Sequence, residues 1–249
     1  MRMNVGVQLY TLRNETEKDF LGTLEKIADI GYEGVEFAGC YGGLKAHQIK
    51  DCLDRLGLKP AGSHVGIDLL RSDLDEVIEF SLEIGNKYIV CPWDRHDSWE
   101  GWHEAAKLYK AIGEKCNEKG LKFCYHNHSH EFKKYNDKYA IDIIFNETNP
   151  ECVLAEIDTY WVQYAGINPK EYLRKFKGRM PLLHQKDMGA GEERATVEVG
   201  EGIMDIYGIS AVAEEIGAEW LIVEQDDCSR PPLESIKISF ENLKKMKLI

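Results

Sequence analysis

Three residues that can bind a metal ion, Asp158, His184 and Glu224, each stand at the end of a short, β-rich apolar run. Two carboxylates and one imidazole form a mixed oxygen and nitrogen donor set. Such a set suits Mn²⁺, Mg²⁺, Co²⁺, Fe²⁺ or Zn²⁺ better than a metal that selects thiolates. Polar residues often stand where strands become loops, so one position alone carries little weight. Three consecutive runs with the same ending predict one shared divalent metal site, without identifying the ion.

The densest group of candidate residues is segment 125–132, which holds His126, His128 and His130 and follows another apolar run. The three histidines alternate with other residues, so they share one face of an extended segment. A His-rich surface loop is the alternative interpretation, but the position directly after a predicted strand favours a site. A zinc protease is not indicated, because the HExxH spacing on a helix is absent.

Glu156 and Lys186 are candidates for proton transfer and charge stabilisation. Glu156 has the same strand parity as Asp158, so both side chains would face the barrel interior. Two close carboxylates raise one pKa unless a cation intervenes, which makes Glu156 a candidate proton carrier; a buried structural ion pair is the alternative. Lys186 shares the face of His184, where it would stabilise an enediolate oxygen or bind a phosphate, unless it is a solvated loop lysine.

Four further residues are candidates for binding a substrate. Trp93 and Trp161 would stack against a sugar ring, with core packing as the alternative. Glu36 and His64 end the second and third predicted strands. All four therefore belong to the same predicted strand ends as the candidate metal ligands.

Eight β-rich runs alternate with eight amphipathic stretches along the chain. The predicted strands cover residues 5–10, 34–37, 58–64, 88–91, 121–126, 153–158, 180–184 and 220–224. The predicted helices cover residues 20–30, 46–56, 73–84, 102–119, 140–146, 169–176, 206–216 and 236–246. Glycines that indicate a helix end stand at Gly31, Gly57, Gly85 and Gly120.

Strict alternation of strands and helices predicts a parallel sheet. Eight units of roughly 30 residues within 249 residues predict a single α/β domain over residues 1–249, a (β/α)₈ TIM barrel. An open doubly wound sheet is less favoured, because its Gly-rich nucleotide loop is absent after the first strand. In a barrel, all candidate residues would meet at one face. The irregular segment 187–203 would lie on that face as a candidate lid.

The net charge of −12 argues against nucleic acid as a partner, because phosphate binding needs clustered Lys and Arg. It also argues against anchoring on an anionic membrane. No signal peptide or long apolar run is visible, and seven scattered Cys without a CxxC pair predict free thiols and a cytoplasmic protein. Barrels of this size often pair, so the sequence is compatible with a homo-oligomer.

The motifs together resemble the sugar phosphate isomerase/epimerase family of xylose-isomerase-like TIM barrels. That group also includes inosose dehydratases, hydroxypyruvate isomerases, ketose 3-epimerases and DNA-repair enzymes of the endonuclease IV type. The resemblance covers nearly the whole chain and is carried by segments 5–13, 31–36, 125–128, 156–162, 183–187, 200–202 and 223–226.

The resemblance implies one metal ion held by Glu, Asp, His and Glu at the ends of strands five to eight. The last three positions match the three residues described first. The first position, usually Glu, is His126 in this chain. His126 would bind the metal, unless His128 or Glu131 takes that place. Epimerases of the family use two metal-bound Glu as acid and base. The replacement of one of them by His126 therefore favours a dehydratase or lyase.

By resemblance, the expected activity is isomerisation or epimerisation of a sugar, ketosugar or sugar phosphate through a metal-stabilised enediolate. Glu224 or Glu156 would remove the proton next to the carbonyl, and His128 or His64 would return it. Dehydration or elimination on an inosose or a 3-keto-glycoside is the alternative at the same site. A metal-dependent nuclease would need a basic groove, and a non-catalytic sugar-binding barrel is the alternative of another class.

Overall fold

The computed structural model describes residues 2–249, and its central feature is a closed barrel of eight parallel strands. The strands β1 to β8 are Asn4–Gln8, Gly34–Phe37, Lys59–His64, Tyr88–Cys91, Lys122–His126, Val153–Asp158, Leu182–Gln185 and Trp220–Val223. Each strand pairs in parallel with the next one along the chain, and β8 pairs with β1. This sequential closure confirms the predicted (β/α)₈ barrel.

One principal helix follows each strand and packs outside the barrel. The helices α1 to α8 are Phe20–Ile30, Ala46–Leu56, Leu74–Ile84, Trp99–Glu118, Ala140–Glu147, Pro169–Leu173, Ile206–Ile216 and Pro232–Lys245. Helix α4 begins before the predicted residue 102, because the Ser98 side chain accepts a hydrogen bond from the Gly101 N–H and caps the helix. Helix α8 begins at Pro232 instead of residue 236, since proline is well suited to the first turn.

Glycine ends three helices as predicted. Gly31, Gly57 and Gly85 lie in the left-handed region at the ends of α1, α2 and α3. For α4 the prediction was one residue off, because Lys119 is the cap and Gly120 follows it in the left-handed region.

Short elements in the loops are absent from the predictions, because they are too short to show a period. They are the helices Arg13–Lys18, Ile67–Ser72 and Thr159–Tyr164, and the 3₁₀ turn His130–Phe132. The predicted helix over 169–176 ends as the 3₁₀ turn Arg174–Phe176. The predicted first strand over 5–10 is too long, because Leu9–Leu12 form a 3₁₀ turn in which the Gln8 side chain accepts a hydrogen bond from the Tyr10 N–H. The predicted irregular segment 187–203 contains an antiparallel pair, Asp187–Met188 with Thr196–Val197. A second pair joins Lys134–Tyr135 to Lys138–Tyr139.

Two apolar clusters form the core. The larger one packs between the sheet and the helices. The smaller one fills the barrel interior and consists of Ala61, Tyr88, Val90, Cys124, Leu182, Trp220 and Ile222. The site described next continues upwards from this interior cluster.

All seven cysteines are free thiols, as their scattered spacing predicts. Over residues 2–249, no helix combines the length and the apolar character that crossing a bilayer requires.

Candidate metal centre

Strand alternation places the polar side chains of the site directly above the apolar interior of the barrel. Successive residues of a strand point to opposite faces, so a residue two places further points the same way. The pairs of apolar and following polar residue are Cys124 and His126, Leu154 and Glu156, Leu182 and His184, and Ile222 and Glu224. A further step of two residues gives Asp158, Lys186 and Asp226. The carboxyl ends of β5 to β8 therefore deliver their side chains to one point.

Four of these side chains form a buried donor set. His126, Asp158, His184 and Glu224 each offer one ligand atom, and these atoms all lie within 4.8 Å of one another. The Nε2 atom of His126 is 4.0 Å from Asp158 Oδ2, and the Nδ1 atom of His184 is 2.9 Å from Glu224 Oε2. The structure thus brings together the four residues that were predicted as metal ligands.

The two other candidates for the strand-five position point elsewhere. Glu131 accepts hydrogen bonds from the Tyr125 hydroxyl at 3.0 Å and from the backbone N–H of His128 at 2.9 Å. Burial raises the pKa of Glu131 to about 8. His128 stands beside the donor set, with its ring centroid 5.0 Å from that of His126. The geometry therefore favours His126 at this position.

A second layer of carboxylates lies on the far side of the two histidine rings. The Oε2 atom of Glu156 is 3.0 Å from His126 Nδ1 and 2.7 Å from His64 Nε2. The Oε2 atom of Glu36 is 2.5 Å from His184 Nε2. His126 and His184 therefore each turn one ring nitrogen to the donor set and the other to a second-layer carboxylate.

This two-sided arrangement suits a single metal ion. His64, His126, Glu156 and His184 form a second convergent set of donors, but it uses the opposite nitrogens of two shared rings. A neutral imidazole has one nitrogen with a free lone pair and one that carries a proton. When the nitrogens that face the donor set are the ligands, the other nitrogen of each ring donates to a second-layer carboxylate. This is the usual outer shell of a histidine that binds a metal.

Asp158 is held so that one oxygen stays available. Its backbone N–H donates to Asn127 Oδ1 at 3.1 Å, and its Oδ1 accepts from the backbone N–H of Trp161 at 3.1 Å. Its Oδ2 is buried and makes no hydrogen bond, although Lys186 Nζ lies 3.1 Å away. A buried carboxylate oxygen that faces a histidine nitrogen fits a divalent cation.

Lys186 braces the carboxylates of the site. Its Nζ is 3.0 Å from Glu224 Oε2 and 2.9 Å from both carboxylate oxygens of Asp226. The side chain is only 1% exposed, so its positive charge is balanced by these carboxylates and not by solvent. Burial alone would lower the pKa of Lys186, but Asp158, Glu224 and Asp226 hold it well above its ordinary value.

Buried negative charge exceeds buried fixed positive charge at this centre. Burial, with the neighbouring Glu36 carboxylate, raises the pKa of Glu156 to about 7. Burial alone would lower the pKa of His184, but Glu156 and Glu36 hold it well above its ordinary value. Burial would raise the pKa of Glu224, yet Lys186 and His184 keep it well below its ordinary value. A divalent cation in the donor set would offset the excess of carboxylates.

A cavity of about 710 Å³ opens above the donor set. The predicted residues that line it are His64, Trp93, His126, His128, Trp161 and Glu224. Glu36, Glu156, Asp158, His184 and Lys186 lie beneath, fully buried or nearly so. A substrate in the cavity would therefore touch Glu224, His64 and His128 before any second-layer group.

The predictions missed several residues of the cavity wall, namely Arg13, Tyr160, Tyr164 and Arg194. Tyr160 and Tyr164 stand four residues apart on the short helix that follows β6. Their spacing could have indicated a shared aromatic face. Arg194 gave no local signal, because the path of the segment after β7 decides its position.

Asp187 anchors the segment that covers one side of the cavity. Its Oδ2 accepts from the backbone N–H groups of Gly200 at 2.9 Å and Gly202 at 3.0 Å, and its Oδ1 accepts from Met204 at 3.1 Å. A Cβ at Gly202 would lie 2.2 Å from Asp187 Oδ1, so the close approach needs glycine. This anchor holds residues 193–196 against the cavity.

Comparison with known proteins agrees with this architecture. Residues 24–246 match the family model described as Xylose isomerase-like TIM barrel. An inosose dehydratase from Clostridium beijerinckii is 25% identical over 261 residues, covering 88% of this chain and 86% of the relative. A sugar phosphate isomerase/epimerase structure from Parabacteroides distasonis superposes with a TM-score of 0.86 at 23% identity, covering 100% of this chain and 96% of that one. The IolI protein, solved with a bound zinc atom, has a TM-score of 0.74 at 15% identity, covering 99% and 97%.

Proposed function

The chain belongs to the xylose isomerase-like TIM barrel family, and from this premise we propose a divalent-metal-dependent isomerase or epimerase of a sugar or ketosugar. The proposed reaction moves a proton on a carbon next to a carbonyl. The observation that carries the proposal is the convergence of His126, Asp158, His184 and Glu224 at the floor of the cavity. Glu224 belongs to the donor set and also lines the cavity, so it lies next to any substrate there.

The metal would be held by these four residues, and the best support is the buried Asp158 Oδ2, which has an ion-pair contact with Lys186 but no hydrogen-bond partner. When bound, a divalent ion supplies Lewis acidity that polarises a carbonyl and lowers the pKa of the neighbouring C–H. The IolI protein, which has a similar barrel, was solved with a bound zinc atom, and this supports the proposal that the present chain also binds a metal.

The chain provides a base and an acid on different sides of the cavity. Glu224 removes the proton, held in place by contacts of its Oε2 with His184 and Lys186. His64 returns a proton: burial alone would lower its pKa, but Glu36 and Glu156 raise it above the ordinary value. Burial lowers the pKa of His128 to about 3, which leaves this ring neutral and able to accept a hydrogen bond from a substrate hydroxyl.

Dehydration is the second candidate reaction, and two observations favour it. The inosose dehydratase relative aligns over most of both chains. His126 also leaves Glu224 as the single Glu of the donor set, so the symmetric pair of Glu bases is absent from it. In this reaction Glu224 removes the same proton, and His64 protonates a departing β-hydroxyl.

A non-catalytic sugar-binding barrel is favoured by one observation, the position of Lys186. Its ammonium forms ion pairs with two carboxylates of the donor set, Asp158 at 3.1 Å and Glu224 at 3.0 Å. If this lysine neutralises the carboxylates completely, the protein will not retain a metal.

One experiment separates the three candidates. The purified protein is analysed for metals, reconstituted with Mn²⁺, Co²⁺ or Zn²⁺, and incubated in D₂O with ketosugars and inososes while NMR follows each C–H. Deuterium incorporation with an epimer or isomer supports the leading proposal, and loss of water supports the dehydratase. Glu224→Gln should abolish exchange, whereas Glu118→Gln on the surface should not. If the protein binds a sugar but neither exchanges its protons nor retains a metal, the result would support the non-catalytic binding barrel.

A further inference from the structure

An aromatic row leads out of the metal centre along one wall of the cavity. The ring centroids of His128 and Trp161 are 5.5 Å apart, and those of Trp161 and Tyr164 are 5.3 Å apart. The guanidinium of Arg194 lies 5.5 Å from the Tyr164 ring, where the row reaches the segment after β7. The row begins beside the metal donor His126. It therefore forms a continuous path from the floor of the cavity to its rim.

The outer rings of the cavity expose large apolar surfaces. Tyr164 is 40% exposed and Trp93 is 49% exposed, although both are large hydrophobic side chains. A ligand that covers apolar ring surface removes it from water, and this makes the free energy of binding more favourable. The C–H faces of sugar rings provide a matching surface, while the hydroxyl edges remain free for polar contacts.

The two arginines that line the cavity, Arg13 and Arg194, are each already bound to a backbone carbonyl of the protein. Arg13 stacks on Tyr10 with 4.4 Å to the ring centroid and donates to the backbone carbonyl of Asp226 at 3.0 Å. Arg194 donates to the backbone carbonyl of Tyr164 at 3.0 Å. The residues that line the cavity carry these two guanidiniums against four carboxylates, Glu193, Glu224, Asp226 and Asp227. This balance disfavours a phosphate and favours a ligand that donates hydroxyl hydrogens.

The cavity has more room than one monosaccharide over the donor set needs. Its volume of about 710 Å³ lies in the upper part of the range of roughly 300–1,000 Å³ for pockets that hold larger ligands. The reacting sugar occupies the floor next to Glu224 and His64. The space along Trp161 and Tyr164 is then left for a second ring.

We propose that the substrate is an uncharged disaccharide. The sugar that carries the ketone sits over the donor set, and the second sugar ring stacks on Trp161 and Tyr164. This inference rests on the proposed function for the reacting ring, but the outer subsite is a matter of binding and is tested separately.

The test uses three ligands that share one ketose: fructose, fructose 6-phosphate and lactulose, which is fructose with an attached galactosyl ring. Tryptophan fluorescence measures binding to the metal-loaded protein, and NMR measures turnover. Lactulose should bind at least about ten-fold more tightly than fructose, the effect expected when one aromatic ring is covered. Fructose 6-phosphate should bind no more tightly than fructose. Equal binding of lactulose and fructose, or tighter binding of the phosphate, overturns the proposal.

Variants locate the second ring. Tyr164→Ala should reduce the ratio of lactulose to fructose affinity towards one, and Tyr164→Phe should preserve it. Tyr207→Ala is the matched control, because Tyr207 is 63% exposed and does not line the cavity. A ratio unchanged in Tyr164→Ala contradicts the subsite. Preferred binding of lactulose without turnover would leave the subsite standing and count against the proposed reaction.

Discussion

The Oε2 atom of Glu156 lies 3.0 Å from His126 Nδ1, on the opposite edge of the ring from the nitrogen that faces Asp158. His184 has the same arrangement with Glu36, at 2.5 Å. A second layer of carboxylates thus orients both histidines of the donor set. These carboxylates support the proposed metal ligands without lining the cavity themselves.

Glu156→Gln should weaken metal binding by about 10- to 100-fold, the usual effect of removing an outer-shell carboxylate from a ligand histidine. The neutral amide oxygen accepts a weaker hydrogen bond from His126 Nδ1–H than the carboxylate does, so the opposite nitrogen loses basicity as a ligand. Competition with a fluorescent chelator measures the dissociation constant. Glu118→Gln on the surface of α4 should bind metal like the wild type. An unchanged constant in Glu156→Gln would show that this carboxylate does not orient His126.

Glu131 should make the stability of the protein depend on pH. Burial raises the pKa of its carboxyl to about 8, whereas the unfolded chain releases the proton near the ordinary value. The folded state therefore binds more protons between these two pKa values. Stability is fully present below the unfolded pKa and falls as the pH rises towards 8, by about 1.4 kcal/mol per pH unit at most.

Urea unfolding between pH 5 and pH 9 measures this slope, with Glu131→Gln as the variant that cannot titrate. The variant should lose less stability than the wild type as the pH rises through this window. Near-UV circular dichroism checks that the hydrogen bonds from Tyr125 and His128 still hold the amide in place. Parallel slopes for the two proteins would mean that Glu131 is ionised in the folded state at neutral pH.

The sequence predicted the barrel and three of the donors, Asp158, His184 and Glu224, because parallel strands are buried on both faces and are seen as apolar runs. The fourth donor, His126, was expected only from the resemblance to the family. Each run ended in a polar residue, as at His184, and the alternation of side chains indicated its direction. The contact between Glu36 and His184 was not predictable, since the two residues are 148 positions apart and meet only when the barrel closes. Arg194 depended in the same way on the path of a loop.

Asp187→Asn should loosen the segment over the cavity. The amide nitrogen that replaces one carboxylate oxygen would face the N–H donors of Gly200 and Gly202, which now bind Oδ2. Hydrogen bonds to a charged group contribute about 1.5–3 kcal/mol each, so amide exchange there should accelerate by ten-fold or more. Hydrogen–deuterium exchange of peptides that cover residues 196–204 measures the effect. Glu192→Gln, exposed in the same segment, should leave exchange unchanged.

Gly62→Ala tests whether the second layer is packed tightly enough to position the proposed metal ligands. A Cβ at Gly62 would lie 2.4 Å from Glu36 Oε1. The carboxylate cannot retreat easily, because its Oε2 binds Gln8 Nε2 at 2.7 Å and His184 Nε2 at 2.5 Å. Overpacking of this kind costs about 1–3 kcal/mol of stability. It should also weaken metal binding by displacing the His184 ring.

Thermal unfolding and the chelator competition measure both effects on the same protein. Gly191→Ala is the matched control, because no atom lies within 4 Å of a Cβ at that position. Adding Glu36→Asp to Gly62→Ala shortens the carboxylate and should recover part of the stability, since the clash is relieved. It should not restore metal affinity, because the shorter side chain no longer reaches His184. If Gly62→Ala alone lost stability but bound metal normally, Glu36 would be a packing residue and His184 would be oriented by Glu224 alone.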